Sequence, residues 1–578
     1  LFRDKFLVFA AKDSLGGQEC SWYYPQINGT WPETQRVPIK SYRANDIVLT
    51  DLGGKNLSLV IMQSNIITSY DGSTLLYKEF TGRETLLNDV PVKLPCGDAR
   101  MILTPRMQKH CQLVLPHTRT GNATGLLPVV VYTGKDGKFA LDRKIEFMAN
   151  GAMDGVFADL DDNGYPDIII ANEVEMSPHL NDGSYIYFQN RNGFEKTPLK
   201  LPTQFATGIV VADFNKDGVL DIVFTSLGNE LTMYYGLDNR QFKRHDIKLG
   251  KGCQTLWLAC ADLNLDGYLD LAVPTIAGKS CILWGSQDGF DYKRRQDFNI
   301  PRAQNVKIAD LNQDSYLDLL FCGVYPSIGK PHDSYVTIFY GSSDGFKDHK
   351  RTQLPVMNSN CLAVQDFNND GLLDIFTGAY DSSLSRELDS HIYWNAPDEG
   401  FTKDNRSFLR TEAACGVIAA DFNKDGYLDM GIVNHKVNTK HVSYSQVWYN
   451  NKGKFSSDNT IKLPTSGPHG MINTPLQNIV DRSPAEEYTS VIYQRTKTAE
   501  EFVATICADI PASCKVKLAL RSADSVPGLQ SIPFQRIEIG KNISIKDFSG
   551  KYLQYRLQLI SRDGINTPKV RSVTFTFQ

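Results

Sequence analysis

Aspartate and asparagine recur in this chain at a spacing that gathers oxygen donors. One nine-residue phrase returns six times: DLDDNGYPD from Asp159, DFNKDGVLD from Asp213, DLNLDGYLD from Asp262, DLNQDSYLD from Asp310, DFNNDGLLD from Asp366 and DFNKDGYLD from Asp421. Positions one, three, five and nine supply side-chain oxygens, and position seven can offer a backbone carbonyl. The donor sets are Asp159, Asp161, Asn163, Tyr165 and Asp167 in the first phrase, and Asp213, Asn215, Asp217, Val219 and Asp221 in the second. The third and fourth are Asp262, Asn264, Asp266, Tyr268 and Asp270, and Asp310, Asn312, Asp314, Tyr316 and Asp318. The last two are Asp366, Asn368, Asp370, Leu372 and Asp374, and Asp421, Asn423, Asp425, Tyr427 and Asp429.

An all-oxygen set suits calcium, which accepts six to eight oxygens in flexible geometry; magnesium demands a tighter octahedron, and zinc prefers His and Cys. Up to six calcium ions are therefore expected, as structural fasteners of loops. Asp, Asn and Gly are also ordinary turn residues, but six clusters of acids on one spacing would repel themselves without a cation. Glycine at position six permits a left-handed turn. Ser315 replaces it in the fourth phrase, where strain and weaker binding are expected. An EF-hand begins in the same way but needs flanking helices and a Glu at position twelve, and this sequence offers neither.

Each phrase lies between short apolar stretches rich in β-branched residues, such as Gly208-Ile-Val-Val-Ala before and Ile222-Val-Phe-Thr after, which read as strands joined by a loop. An aromatic stretch follows (Tyr185-Ile-Tyr-Phe, Met233-Tyr-Tyr-Gly, Ile282-Leu-Trp-Gly), then a turn ending in Phe. Four strands per unit of about fifty residues, without helical periodicity, predict the blades of a β-propeller. Two upstream units keep the spacing with decayed loops, at Asp51 and Pro105. Eight blades is the best count, with seven or nine open. The first forty-odd residues read as strands of another blade, which a stretch near His469 could complete. After about residue 475 the phrase stops and alternating strands such as Lys515-Val-Lys-Leu-Ala-Leu-Arg521 predict a small β-sandwich. The expected class is all-β, with a propeller over 1–474 and a sandwich over 475–578.

The phrase, its preceding apolar strand and its following aromatic strand resemble the FG-GAP repeat, as found in secreted bacterial proteins, fungal lectins and integrin α heads. The resemblance spans about residues 45 to 465. It implies a propeller, calcium in the hairpin loops, an extracellular setting and a role in adhesion or ligand binding; it carries over no ligand site. The tail is similar, loosely, to accessory sandwich modules that follow propellers in secreted bacterial proteins.

Composition narrows the partners. A net charge of −4 and no dense Lys/Arg tract argue against nucleic acid, and no apolar run is long enough to span a bilayer. The chain starts at Leu1 without a signal-type segment, which reads as a processed or trimmed product. The compartment is inferred from the metal: extracellular calcium modules work with dissociation constants of about 10⁻⁴ to 10⁻³ M, which a resting cytosol leaves empty. Sequons at Asn28, Asn56, Asn122, Asn405 and Asn542, and close cysteine pairs Cys96–Cys111 and Cys507–Cys514, fit a secreted glycoprotein with disulfides.

The ten histidines are scattered, with no H-E-x-x-H, G-x-S-x-G or zinc-type pairing. His435 and His441, beside Lys436 and Lys440, are the nearest to a site for an acidic ligand, with a solvated loop the simpler reading. Trp257, Trp284, Trp394 and Trp448 read as packing between blades rather than sugar platforms, Trp22 and Trp31 as weak contact candidates, and Cys260 and Cys322 as buried thiols. The expected function is an extracellular adhesion or ligand-binding module for a protein or glycan. A self-assembling structural subunit comes second, and a polysaccharide-active enzyme such as a lyase third.

Overall fold

The computed structural model describes residues 8–11, 21–28, 30–39, 41, 44–63, 73–95, 102–103, 112–116, 126–135, 138–172, 183–250, 253–255, 258–300, 302–314, 316–323, 333–382, 384–436, 442–466, 485–495, 501–510, 514–561 and 568–577. Pro105, Ser315, the Cys96–Cys111 pair and the stretch at His469 lie outside them, as do Trp257, His441 and Asn122.

The described chain is built of small antiparallel sheets taken in chain order. An N-terminal sheet of three strands comes first (Val8–Ala11, Ser21–Tyr24, Val37–Ile39). Blade one follows (Ala44–Thr50, Ser58–Gln63, Ser73–Tyr77, Val92–Pro95). Blade two has Gln112–Pro116, Leu126–Lys135 and Lys138–Asn150, and among the described residues Leu103 bridges Val114 on its inner side.

Blades three to eight are four-stranded sheets paired in simple up-and-down order. Their inner strands are Ala152–Ala158, Ala206–Ala212, Ala259–Ala261, Ala303–Ala309, Ser359–Gln365 and Ala414–Ala420. The second strands begin at Asp167, Asp221, Asp270, Asp318, Asp374 and Asp429, the ninth residue of each phrase. Each phrase is thus the hairpin between the first and second strands of a blade, and all six lie on the same rim.

The second strands read as continuous apolar runs because both of their faces are covered. In Asp221–Ser226, every residue is buried. Ile222 and Phe224 pack with Ile169 and Ile186 of blade three, while Val223 packs with Leu271 and Cys281 of blade five. Similar cores join every neighbouring pair of sheets. A ninth core sets Tyr24 and Trp31 of the N-terminal region against Phe422, Tyr449 and Leu463 of blade eight, and Gln26 Nε2 donates to the Phe422 carbonyl at 2.5 Å. The other face of the N-terminal sheet, through Tyr23, Val37 and Ile39, packs on blade one. Sheet-on-sheet packing therefore runs full circle, although no sheet is itself closed. The fold is a β-propeller of eight repeat blades with the N-terminal sheet seated between the last and the first.

Near residue 485 the pattern changes. Ala485–Thr489, Tyr552–Ser561, Cys514–Ala523 and Gln535–Ile537 form one sheet, with Tyr493–Gln494 also pairing to Tyr552–Ser561. Asn542–Ser544, Glu501–Asp509 and Lys569–Phe577 form the other. Phe502 and Ala504 of one face pack on Leu518, Leu520 and Leu557 of the other, which makes a small sandwich. Cys507 and Cys514 sit in different sheets and Cys507 is an exposed free thiol, so the pairing expected from their spacing is not formed.

Candidate metal sites in the rim loops

The loop from Asp213 shows how each phrase folds. Lys216 at position four and Gly218 at position six both adopt positive φ, +61° and +91°. The backbone amides thereby turn inward toward the side-chain oxygens. Asp213 Oδ1 accepts from the Asp217 amide at 3.1 Å and Oδ2 from the Gly218 amide at 3.0 Å. Asn215 Oδ1 accepts from the Asp217 amide at 3.1 Å, and Asp217 Oδ1 from the Val219 amide at 2.8 Å.

The same pattern recurs around the rim. Position-seven amides of Tyr165, Tyr268, Tyr316, Leu372 and Tyr427 each donate to the side chain at position five. Positive φ at position four is universal, at Asp162, Leu265, Gln313, Asn369 and Lys424, although none of these is glycine. Sequence reading assigned the turn to position six alone. A Cβ on Gly164, Gly218, Gly371 or Gly426 would meet nothing within 4 Å, so glycine is needed there for its backbone angle and not for room.

Position nine does something the spacing did not reveal. Asp221 is fully buried; its Oδ2 accepts from the Phe214 amide at 2.9 Å and its Oδ1 from the Gly236 amide at 2.8 Å. It therefore ties its own loop to the end of the third strand. Asp167 makes the same two bonds to Leu160 and Gln189, Asp270 to Leu263 and Gly285, and Asp318 to Leu311 and Gly341. Asp374 and Asp429 repeat it with Phe367 and Asn395, and with Phe422 and Asn450.

Burial pushes these carboxyls up, and the acids of the same loop add to the shift: Asp167 and Asp221 to about 8, Asp270, Asp318 and Asp374 to about 7, and Asp429 to about 6. A nearby cation would reverse that shift.

Three observations bear on calcium. Among the described residues only the first loop gathers three acidic ligand atoms, those of Asp159, Asp161 and Asp167, within 4.8 Å of one another, close enough for one ion. Asp262 Oδ1 is buried without a hydrogen-bond partner. The sets are all oxygen. The residues that would hold the ions are those at positions one, three, five and nine, and a bound ion would supply charge neutralisation there. In the first loop Arg240 already does part of this: its Nη2 stands 2.7 Å from Asp161 Oδ2 and its Nη1 2.6 Å from Glu195 Oε1. The decayed loop at Asp51 is braced by an anion from elsewhere, because Glu79 Oε1 and Oε2 accept from the Lys55 and Asn56 amides at 3.0 and 2.8 Å.

The loops also touch in sequence. Gln313 Nε2 donates to the Gly371 carbonyl at 2.5 Å, Asn369 Nδ2 to the Gly426 carbonyl at 2.8 Å, and the Lys216 ammonium lies 5.2 Å from the centre of the Tyr268 ring. Position four of one loop thus reaches position six or seven of the next.

Other candidates fall into place as packing. Trp31 is buried, stacked on Tyr449 and edge-on to Phe422, so it is a seam residue and not a contact surface. Trp22 lies under the Arg36 guanidinium, Trp284 stacks on Phe346, and Trp394 and Trp448 pack between blades seven and eight. His435 is buried against Tyr380, whose hydroxyl is 2.7 Å from Nδ1, which removes it from the acidic-ligand site suggested by its neighbours. Cys260 and Cys322 are buried in strands.

These features define a repeat propeller with loops from most blades gathered on one rim, a scaffold for ligand binding or protein interaction. The model of the FG-GAP-like repeat matches residues 159–224, 213–273, 310–377 and 366–432, and the chain carries FG-GAP repeats there. No curated protein matches the chain. Among solved structures, Sqt1 of Saccharomyces cerevisiae is similar at 13% identity, covering 74% of this chain and 97% of that one with a TM-score of 0.38. A protein from Lactobacillus plantarum is similar at 10% identity, covering 62% and 98% with a TM-score of 0.35. BBS1N in complex with ARL6DN is similar at 11% identity, covering 59% and 89% with a TM-score of 0.29. Among the described residues no helix is long and apolar enough to cross a membrane.

Proposed function

We propose that this chain is an extracellular or cell-surface binding module that carries calcium in its rim loops, engages a protein or glycan, and performs no catalysis. The observation that carries the reading is the run of six acid-rich loops on one rim, each with its buried position-nine carboxyl held well above the usual carboxylate range. Such loops favour an environment where millimolar calcium is always present. The ions would stiffen a rim whose loops already touch, leaving exposed position-four side chains such as Leu265 and Lys424 to meet a partner. Exposed sequon asparagines at Asn28, Asn405 and Asn542 are compatible with a glycosylating route.

Calorimetric titration of chelator-treated protein with calcium tests the metal half of this reading. Uptake of several ions with dissociation constants near 10⁻⁴ to 10⁻³ M, and a rise in melting temperature with occupancy, are expected. No heat and no stabilisation up to about ten times that range would overturn it. A glycan array and cell-surface binding, each run in calcium and in chelator, test the binding half.

A further inference from the structure

The axis of the ring holds a side chain that breaks its own repeat. Three residues before the first Asp of each loop, the inner strands carry Val156, Val210, Ala259, Ala363 and Ile418, and the decayed blade one carries Val48. Blade six carries Lys307 there instead. Its neighbours Val306 and Ile308 belong to the core shared with blade five, so by strand alternation Lys307 faces the seam with blade seven. The charged or titratable groups that bear on it there are the thiols of Cys322 and Cys361. Among the described residues no hydrogen bond or ion pair holds its ammonium.

Lys307 lines a cavity of about 330 Å³ built mostly from aliphatic residues, including Leu362, Val364, Leu373 and Val417, together with Gln365, although the surface they present to it is more polar than apolar. Lys307 is half-buried and has no counter-ion among the described residues, and its partial desolvation draws it down to about 8, which still leaves it cationic at neutral pH. A repeat that tolerates Val, Ala or Ile at this position has no structural need of a lysine. Violations of this kind, with nothing inside the fold to offset them, mark binding sites.

We propose that the axial cavity binds a small monocarboxylate, its carboxylate on the Lys307 ammonium. The charge of Lys307 sets the sign of the ligand. The volume is at the lower end of small-molecule pockets and too small for a folded partner. The cavity borders the rim loop from Asp366 through Gln365 and Leu373, but Lys307 is not among the calcium donors, and failure of this proposal leaves the calcium reading standing.

The test is calorimetric titration with hexanoate, against hexanol and hexylamine as probes of equal length. The expected result is one hexanoate per chain, bound at least tenfold more tightly than either probe. Lys307→Met, which restores an apolar side chain as in the sister blades, should keep the melting temperature and lose that preference. Hexanol binding as well as hexanoate, or Lys307→Met binding hexanoate like the parent, would overturn the proposal. Should Lys307→Met not fold, acylation of Lys307 in the unaltered protein, mapped by mass, should slow in hexanoate and not in hexanol; equal rates would overturn it as well.

Discussion

Asp221→Ala separates the two jobs of a position-nine carboxyl. The side chain is fully buried and accepts from two backbone amides, those of Phe214 and Gly236. Truncation leaves both donors buried without partners, at about 1–3 kcal/mol each. Against this stands the energy of keeping an acid in a dry site, expressed in its raised pKa of about 8. A net local loss of about 2–4 kcal/mol follows. Amide exchange in blade four would then quicken by about 30- to 1,000-fold if it proceeds through local opening. Asp217→Ala is the control: its side chain is exposed and serves one backbone amide, so its removal costs about 1 kcal/mol or less in chelator. Hydrogen exchange read by mass, with and without calcium, distinguishes the two. In chelator only Asp221→Ala should loosen the blade, and in calcium both should. Unchanged exchange for Asp221→Ala in chelator would refute the brace and leave only a metal role.

Calcium uptake should release protons near pH 7. The position-nine carboxyls have folded values of about 6 to 8, above an unfolded value near 3.9, so without a cation their contribution is present below about pH 4 and is lost as pH rises through the window to about 8. A cation favours the ionised form, so its affinity should climb across that window; titration heats that do not vary among buffers of different ionisation enthalpy would contradict this. Arg240→Ala should tighten calcium at the first loop by removing the guanidinium from Asp161, read as a change in one class of sites; unchanged affinity would show that Arg240 does not compete. Trp31→Ala should cost about 3–5 kcal/mol and weaken the seam to blade eight first, read as faster exchange in residues 442–463 than in blade five; uniform loosening would count against that seam.

Much of this was legible because the repeat is local. Strand, loop and strand succeed one another within each phrase, and alternation between two neighbours explains why second strands such as Asp221–Ser226 read as solid apolar runs. What escaped is non-local. Nothing in the sequence near Asp221 points to Gly236 as its partner, because that amide arrives at the end of the third strand, 15 residues on. The positive φ at Lys216 and Leu265 was hidden by side chains that do not favour it; the network of side-chain acceptors holds it in place. Trp31 resembled a surface aromatic until the ring brought Tyr449 beside it. Lys307 carried a signal that aligning the inner strands on the phrase would have exposed, a lone charge in a column of Val, Ala and Ile.

The seat of the N-terminal sheet also fixes a schedule for making the protein. Gln26 and the Phe422 carbonyl it meets are 396 residues apart in the chain. At about 5–20 residues per second, a ribosome needs about 20 to 80 seconds to travel that distance. Through that interval Tyr24 and Trp31 have been synthesised while the aromatic wall that covers them has not. The blades between can settle one against the next as they emerge, but the side of the N-terminal sheet that meets blade eight stays uncovered until nearly the whole propeller exists. A nascent chain of this kind exposes a sticky aromatic patch while most of the propeller is being made, and holdase chaperones that mask such patches would have their longest task at the N-terminal sheet.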